Sequence, residues 1–351
     1  MKMREKIENI LRAAIEFKAS DIHLTVGVPP IFRINGDIKR YGKDMLLPND
    51  TEEIAKLLVP ENLYDVFKEK GELDFSYGVP GVSRFRVNAY HQRKSVALAL
   101  RVVASKTPTI EELDLPEIVP KFMERPQGLI LVTGPTGSGK STTLASMIDY
   151  MNRTMRKHVI TLEDPIEYLH RHGNSIIDQR EVGFDTKNYA NGLRAALRQD
   201  PDVILVGEMR DLETMGIAIT AAETGHLVLG TLHTSSAPST INRIIDVFPA
   251  EQQPQIRIQL ASVLVGVISQ RLFPTVDGKG RRAATEILVN NPAIANLIRN
   301  EKIHQIQSTM QTSRAQGMHT LEMSIRELLD RNLILKEAAT KYLQEKMMMD
   351  A

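Results

Sequence analysis

The first seventeen residues carry apolar side chains at every third or fourth position. Ile7, Ile10, Leu11, Ala14 and Ile15 recur at this spacing, with mostly charged residues between them. Apolar residues at such intervals lie along one face of a helix. The segment therefore predicts an amphipathic helix, and its charges exclude a signal peptide or a membrane span.

Shorter apolar runs in the rest of the first third of the chain predict β-strands. The predicted strands are Asp21–Val26, Ile31–Ile34, Leu73–Tyr77, Ser83–His91 and Ser95–Val103. Asn35-Gly36 predicts a hairpin turn after the second strand, and Thr51 is expected to cap a helix near Thr51–Val59. Residues 1–104 therefore predict a small α/β domain.

A segment with several prolines separates this region from the rest of the chain. Pro108, Pro116 and Pro120 interrupt residues 105–120, which also carry several charges. Because proline fixes the backbone and cannot continue a preceding strand, this segment is predicted to be the interdomain connection.

From Lys121 onward, apolar runs alternate with helical stretches, as in a parallel sheet wound with helices. The runs are Gly128–Val132, His158–Leu162, Val203–Val206 and Leu227–Leu229. This pattern assigns residues 121–290 to a second domain. Residues 291–351 lack strand patterns and predict a helical C-terminal region that ends in a frayed, methionine-rich tail. The helices predicted there are Pro292–Arg299, Leu321–Asp330 and Lys336–Lys346.

Composition narrows the classes of function. A hydrophobic fraction of 42% and a charged fraction of 25% are ordinary for a globular protein. The net charge of +1 gives no general attraction to nucleic acid or anionic lipid. The absence of cysteine excludes disulfides, thiolate zinc sites and a cysteine nucleophile, and it is compatible with a cytoplasmic location. The apolar runs are too short to cross a bilayer, so any work at a membrane is expected to pass through a partner.

One motif indicates nucleotide binding. Residues 134–141 satisfy the Walker A pattern G-x-x-x-x-G-K-[ST] between an apolar strand and a predicted helix. Backbone N–H groups of such a loop surround phosphates at the positive end of the helix. Lysine neutralises the β- and γ-phosphates, and the serine hydroxyl ligates Mg²⁺. The predicted nucleotide-binding residues are Gly134, Pro135, Thr136, Gly137, Ser138, Gly139, Lys140, Ser141 and Thr142.

Acidic residues follow two of the predicted strands. Glu163 and Asp164 close the strand that ends in Thr161-Leu162, and Glu208 follows the strand Val203–Val206. We expect Glu163 to orient or deprotonate an attacking water and Asp164 to support Mg²⁺ through water. Glu208 occupies the Walker B place beside Mg²⁺, with glutamate instead of the more usual aspartate. These acids favour ATP hydrolysis over simple nucleotide binding.

Two histidines bracket the predicted strand that begins at Leu227. His226 and His233 are each compatible with an ordinary core histidine. A neutral imidazole beside a phosphate can also sense the γ-phosphate through a hydrogen bond. No third ligand accompanies them at metal spacing, which argues against zinc.

Together these motifs resemble the secretion ATPase superfamily. The residues that carry the resemblance are the P-loop, the Glu163-Asp164-Pro165 box and residues 197–211 and 225–233. Within the superfamily the chain is similar to the type IV pilus retraction ATPases, the PilT family, from Ser20-Asp-Ile-His-Leu24 to Gly317-Met-His-Thr320. It also lacks the cysteines and the extra length of extension ATPases. Residues 293–300 are similar to the retraction signature Ala-Ile-Arg-Asn-Leu-Ile-Arg-Glu, but they carry Ala295 and Asn300 in place of arginine and glutamate.

The resemblance implies a fold and a mode of action. The fold would be a small N-terminal PAS-like α/β domain followed by a RecA-like P-loop ATPase domain and a helical C-terminal cluster. The protein would be a cytoplasmic homohexamer that hydrolyses MgATP and drives pilus retraction through a platform protein of the inner membrane. Arg86 and Arg101 match the arginines that complete a neighbour's ATP site, although strand arginines paired with acids remain an alternative.

Two other functions share these motifs. A DNA-translocating motor could use the same core, but the near-neutral charge and the lack of a basic run with aromatics argue against stable nucleic-acid binding. A module that binds nucleotide without hydrolysis is disfavoured by Glu163 and Glu208.

Overall fold

The computed structural model describes residues 3–34, 36–103 and 106–350, with side chains up to residue 344. The chain divides into two compact units between Lys106 and Thr107, and the short segment Glu167–Leu169 groups with the first unit. Within the described residues, no helix is both long and apolar enough to cross a bilayer.

In its described residues, the first unit is a six-stranded antiparallel sheet with three α-helices. Its elements are α1 Met3–Glu16, β1 Asp21–Leu24, β2 Ile31–Ile34, β3 Asp37–Arg40, α2 Pro48–Leu58, α3 Tyr64–Lys70, β4 Glu72–Val79, β5 Ser83–Gln92 and β6 Ser95–Val102. The strand order is β3-β2-β1-β6-β5-β4. The apolar face of α1 is buried, as its spacing predicts, in a cluster that includes Phe32, Ile54 and Phe85.

The sequence predictions for this unit are confirmed in part. All five predicted strands form, and β2 pairs with β3 across the predicted hairpin, although Asn35 itself lies outside the described residues. The prediction that Thr51 caps α2 is wrong. The helix begins at Pro48, Asp50 accepts a hydrogen bond from the Leu47 N–H, and Thr51 is buried inside the first turns.

The second unit is a seven-stranded sheet covered by helices on both faces. Its elements are α4 Ile118–Met123, β7 Gly128–Thr133, α5 Lys140–Thr154, β8 His158–Glu163, β9 Ile176–Glu181, α6 Tyr189–Ala196, β10 Val203–Val206, α7 Leu212–Glu223, β11 Leu227–Leu232, α8 Ala237–Asp246, α9 Gln253–Val263, β12 Leu264–Pro274, β13 Arg281–Val289, α10 Pro292–Arg299, α11 Ile306–Thr312, α12 Leu321–Asp330 and α13 Lys336–Asp350. The strand order is β13-β12-β7-β11-β10-β8-β9.

All strand pairs of this sheet are parallel except β12 with β13. Alternate residues of β7 enter two different cores: Leu129 and Leu131 pack on one face, and Ile130 and Val132 pack on the other. Burial on both faces explains why the central strands are continuous apolar runs. The four apolar runs predicted from the sequence are β7, β8, β10 and β11, and β9, β12 and β13 add three strands that were not predicted.

Residues 107–120, part of the predicted interdomain connection, pack on the second unit. Ile110, Leu115 and Val119 are buried in the same core as β7. Asp114 has a φ of +53°, and its carboxylate lies 3.2 Å from Arg331 Nη2 and 3.6 Å from Arg282 Nη1. The chain is therefore fixed to the second unit before α4 begins.

Candidate active site

The Walker A residues form a loop between β7 and α5. Gly137 and Gly139 have φ values of +77° and +89°, in the left-handed region that favours glycine. A Cβ atom on Gly134 would lie 2.4 Å from the carbonyl oxygen of Gln270, so the backbone packs too closely for any side chain there. The loop ends at the N-terminus of α5, which attracts anions. These features fit a phosphate cradle.

Lys140 lies under this loop. Its ammonium donates hydrogen bonds to the carbonyl oxygens of Gly134 at 2.8 Å and Pro135 at 3.1 Å. Ser141 is exposed in the first turn of α5, where its hydroxyl can reach a cation beside the phosphates. The lysine charge and the serine hydroxyl thus lie at the same end of α5.

The parallel strands bring the other predicted groups to the same edge. β7, β11, β10 and β8 are consecutive neighbours, so their carboxyl ends lie side by side. The loop follows β7, His233 follows β11, Glu208 lies just beyond β10, and Glu163 ends β8. The phosphate loop, His233, Glu208 and Glu163 therefore lie in this order along one edge of the sheet.

His233 connects Lys140 to Glu208. Its Nε2 lies 2.9 Å from Glu208 Oε1, and its Nδ1 lies 3.5 Å from Lys140 Nζ. A neutral ring with its hydrogen on Nε2 can donate to the carboxylate while Nδ1 accepts from the ammonium. The Glu208 side chain is only 15% exposed and also contacts Arg210. The cation at the phosphate loop and the acid after β10 are therefore linked through one imidazole.

Glu163 is held by two neutral donors. The Thr161 hydroxyl donates to Glu163 Oε1 at 2.6 Å, and Gln179 Nε2 of β9 donates to the same oxygen at 3.0 Å. These bonds fix the direction of the carboxylate. Asp164 is the next residue and is exposed, which is compatible with a water-mediated role. Gln179 could not be identified from the sequence, because β9 was not predicted.

Tyr189 is a further polar group at this edge that the sequence did not reveal. Its hydroxyl lies 3.0 Å from the position that a Cβ on Gly207 would take, so it sits at the end of β10. Burial raises the pKa of the Tyr189 phenol, and the carboxylates of Asp164, Glu208 and Glu163 raise it further. The phenol therefore keeps its proton and can act as a donor among the acids. A tyrosine at the start of a helix carries no motif that would mark it in advance.

His226 does not lie with the other groups. It precedes β11, and its carbonyl oxygen accepts the N–H of Gly128 at the start of β7. The ring is half-buried, and its Nδ1 lies 3.1 Å from the Ala221 carbonyl. Because β11 runs parallel to β7, His226 is at the amino edge of the sheet, opposite the phosphate loop. The sequence left an ordinary structural role and phosphate sensing both open for His226, and in this chain its ring lies away from the phosphate loop.

Arg86 and Arg101 lie in the first unit. They occupy directly opposed positions of β5 and β6, so both project from the same face of the sheet, and both are exposed. Asp21 opposes Arg101 on β1, and its Oδ1 accepts from Arg101 Nε at 2.8 Å. Arg33 of β2 opposes Asp21 as well, so the face presents three arginines, and the Asp21 carboxylate is within ion-pair distance of both Arg101 and Arg33.

Comparison with known proteins places the chain in a family. The family described as type II/IV secretion system protein matches residues 2–345. The type IV pilus retraction ATPase PilT of Pseudomonas aeruginosa is 48% identical over 333 residues, which cover 95% of this chain and 96% of that protein. A twitching motility protein of Neisseria gonorrhoeae is 48% identical over 315 residues, which cover 90% and 84% of the two chains. The crystal structure of the pilus retraction motor PilT with bound ADP has a TM-score of 0.87 at 52% identity and covers 95% of each chain.

The fold and the phosphate loop define a P-loop ATPase, and the chain belongs to the type II/IV secretion system protein family. Within that family it belongs to the PilT group of type IV pilus retraction ATPases. The resemblance found in the sequence is thereby confirmed. The comparisons also support nucleotide binding, because the PilT structure of similar fold was solved with ADP.

Proposed function

We propose that this chain assembles into a homohexamer that hydrolyses MgATP and drives type IV pilus retraction. It would act in the cytoplasm, at the inner membrane, through a membrane platform protein. The observation that carries the proposal is the connection from Lys140 through His233 to Glu208 beside a glycine cradle. Similarity to retraction and twitching proteins over 90–95% of the chain supports the biological role.

The proposed chemistry divides the residues by task. Lys140 and the backbone N–H groups of Thr136, Gly137 and residues 139–142 would hold the β- and γ-phosphates. Ser141 and Glu208, with Asp164 through water, would hold Mg²⁺, which prefers oxygen ligands of this kind. When bound, Mg²⁺ would neutralise charge on the phosphates. Glu163, fixed by Thr161 and Gln179, would orient the attacking water and accept its proton.

His233 would report the state of the phosphates to Glu208. Because one imidazole touches both the loop lysine and the acid, a shift of Lys140 toward a γ-phosphate would change the hydrogen bond that Glu208 receives. His226 has no part in this proposal for its own chain, since it lies at the opposite edge of the sheet.

The direct test combines enzymology and motility. Purified protein should release phosphate from ATP only when Mg²⁺ is present, and it should run as a hexamer in native mass spectrometry. Expression in a piliated strain that lacks its retraction ATPase should restore twitching. Phosphate release without any recovery of twitching, in cells that contain the assembled protein, would contradict the assignment to retraction.

We propose further that Arg86 and Arg101 complete the ATP site of a neighbouring subunit. A guanidinium keeps its charge and binds phosphate oxygens through two donors, which suits transition-state stabilisation. The two arginines are exposed and share one face of the first unit. Residues that act in the site of another subunit must be exposed in this way. The hydrogen bond from Arg101 Nε to the Asp21 carboxylate would orient the arginine side chain before the guanidinium contacts the phosphate.

Mixed rings test this proposal. Arg101→Ala subunits keep Glu208, and Glu208→Gln subunits keep Arg101, so a random ring has both intact at about a quarter of its interfaces. We expect the mixture to hydrolyse ATP faster than either parent alone. Arg93→Ala, at the exposed turn between β5 and β6, serves as the control and should match wild type. Mixed rings that show no recovery would argue that the arginines do not act in trans.

A further inference from the structure

Gln270 of β12 lies directly beneath the phosphate loop. The residue is 3% exposed and carries an uncharged amide, next to the buried Ser269 of the same strand. Its Nε2 donates to the Ser138 carbonyl oxygen at 2.7 Å, and its Oε1 accepts from the Thr143 hydroxyl at 3.0 Å. One side chain therefore joins the loop to α5, and both ends of the amide are satisfied.

β12 lies close to the phosphate loop at both ends of the loop. A Cβ on Gly139 would lie 3.1 Å from the Gln270 amide nitrogen, and a Cβ on Gly134 would lie 2.4 Å from its backbone oxygen. β12 also pairs in parallel with β7, the strand that enters the loop. The loop thus rests on a surface formed by Gln270 and its strand.

The orientation of the Ser138 carbonyl group sets the orientation of the Gly139 N–H, which belongs to the same peptide unit. In a trans peptide the C=O and the following N–H point in opposite directions. Anchoring the Ser138 oxygen on Gln270 therefore turns the Gly139 N–H away from β12. That N–H belongs to the residue that immediately precedes α5, where a bound phosphate would receive backbone donors.

We propose that Gln270 is a positioning residue for nucleotide binding, which sets the Ser138–Gly139 peptide so that the Gly139 N–H faces the phosphates. The inference rests on the phosphate-binding role of the loop given above. The Ser138 carbonyl oxygen requires a donor, which the glutamine amide supplies while its own oxygen accepts from the Thr143 hydroxyl. An ionised glutamate at this position would place a carboxylate oxygen against the Ser138 carbonyl oxygen, and the two acceptors would repel each other. Methionine would offer neither a strong donor nor a strong acceptor.

Two substitutions of similar size separate this role from plain packing. Gln270→Met keeps the volume and removes both hydrogen bonds, so ADP affinity should fall roughly tenfold or more, as expected for the loss of buried hydrogen bonds. Gln270→Glu can donate to Ser138 only while its carboxyl is protonated, and burial raises the pKa of such a group. Its ADP affinity relative to wild type should therefore recover at low pH and fall as the pH rises.

The experiment measures ADP binding to the assembled full-length protein by titration calorimetry between pH 6 and pH 9. Gln255→Met and Gln255→Glu are matched controls on the exposed surface of α9, and they should follow wild type at every pH. Melting temperatures verify that each variant is folded. If Gln270→Met does not fold, the pH dependence of Gln270→Glu decides the question alone.

The outcomes are distinct. A folded Gln270→Met protein with wild-type affinity, or a Gln270→Glu protein whose relative affinity does not change with pH, would overturn the positioning role. Wild-type protein that binds no ADP at all would instead refute the function proposed for the loop. Weak binding by Gln270→Met together with acid recovery by Gln270→Glu would support both.

Discussion

Glu208→Gln is expected to leave nucleotide affinity near its wild-type value and to slow phosphate release by roughly a hundredfold or more, as when a group that acts in the chemical step is removed. The change keeps the shape of the side chain, but it removes the charge that faces His233 and Arg210. Since Glu208 lies at the end of β10 and makes none of the loop's own contacts, ground-state binding should persist. The effect should therefore appear in kcat and not in Kd.

Steady-state and equilibrium measurements check this expectation. ADP and ATP affinities are measured by fluorescence titration, and phosphate release is followed under saturating MgATP. Glu223→Gln removes an exposed carboxylate from α7 of the same unit and should retain full activity. A parallel loss of affinity and kcat in Glu208→Gln would mean that the acid holds the loop instead of serving the chemistry.

Lys140→Ala should behave in the opposite way. Its ammonium lies at the loop, bonded to the carbonyl oxygens of Gly134 and Pro135. Removal takes away both a positive charge for the phosphates and a tie that closes the loop. Charge-assisted hydrogen bonds contribute about 1.5–3 kcal/mol each, so nucleotide affinity should fall by roughly ten- to a hundredfold or more. Hydrolysis should be lost as well.

The comparison uses the same titrations as for Glu208→Gln. Lys187→Ala, which removes an exposed lysine elsewhere in the second unit, is the matched control. Because ADP binding is measured directly, the result does not depend on residual turnover. An affinity for ADP equal to that of wild type in Lys140→Ala would show that the lysine acts only on the γ-phosphate during chemistry.

The sequence predicted the elements that its local patterns determine. The amphipathic α1, the four buried parallel strands and the Walker A loop all follow from spacing and from glycine chemistry. Strand ends also predicted that Glu163, Glu208 and the loop would meet, because parallel strands share one carboxyl edge. His233 is at this edge for the same reason.

Other features depend on pairing between distant segments and have no local signal. Gln270 acts from β12, which pairs with β7 from much earlier in the chain, and Gln179 acts from β9, an edge strand without a continuous apolar run. Tyr189 reaches the acids only through the packing of α6 against the sheet. Thr51 has the residue type of a cap, but the helix begins three residues earlier at Pro48, so Thr51 lies inside the first turns and Asp50 accepts from the Leu47 N–H instead.

The way the chain enters the second unit has a mechanical consequence. The segment that begins at Thr107 is clamped through Asp114 to Arg282 and Arg331, continues into α4 and then becomes β7. β7 has six residues and so spans only about 20 Å before it reaches the loop. A pull on the chain ahead of Asp114 would be borne first by these two ion pairs, before it could reach the strand that leads to the loop.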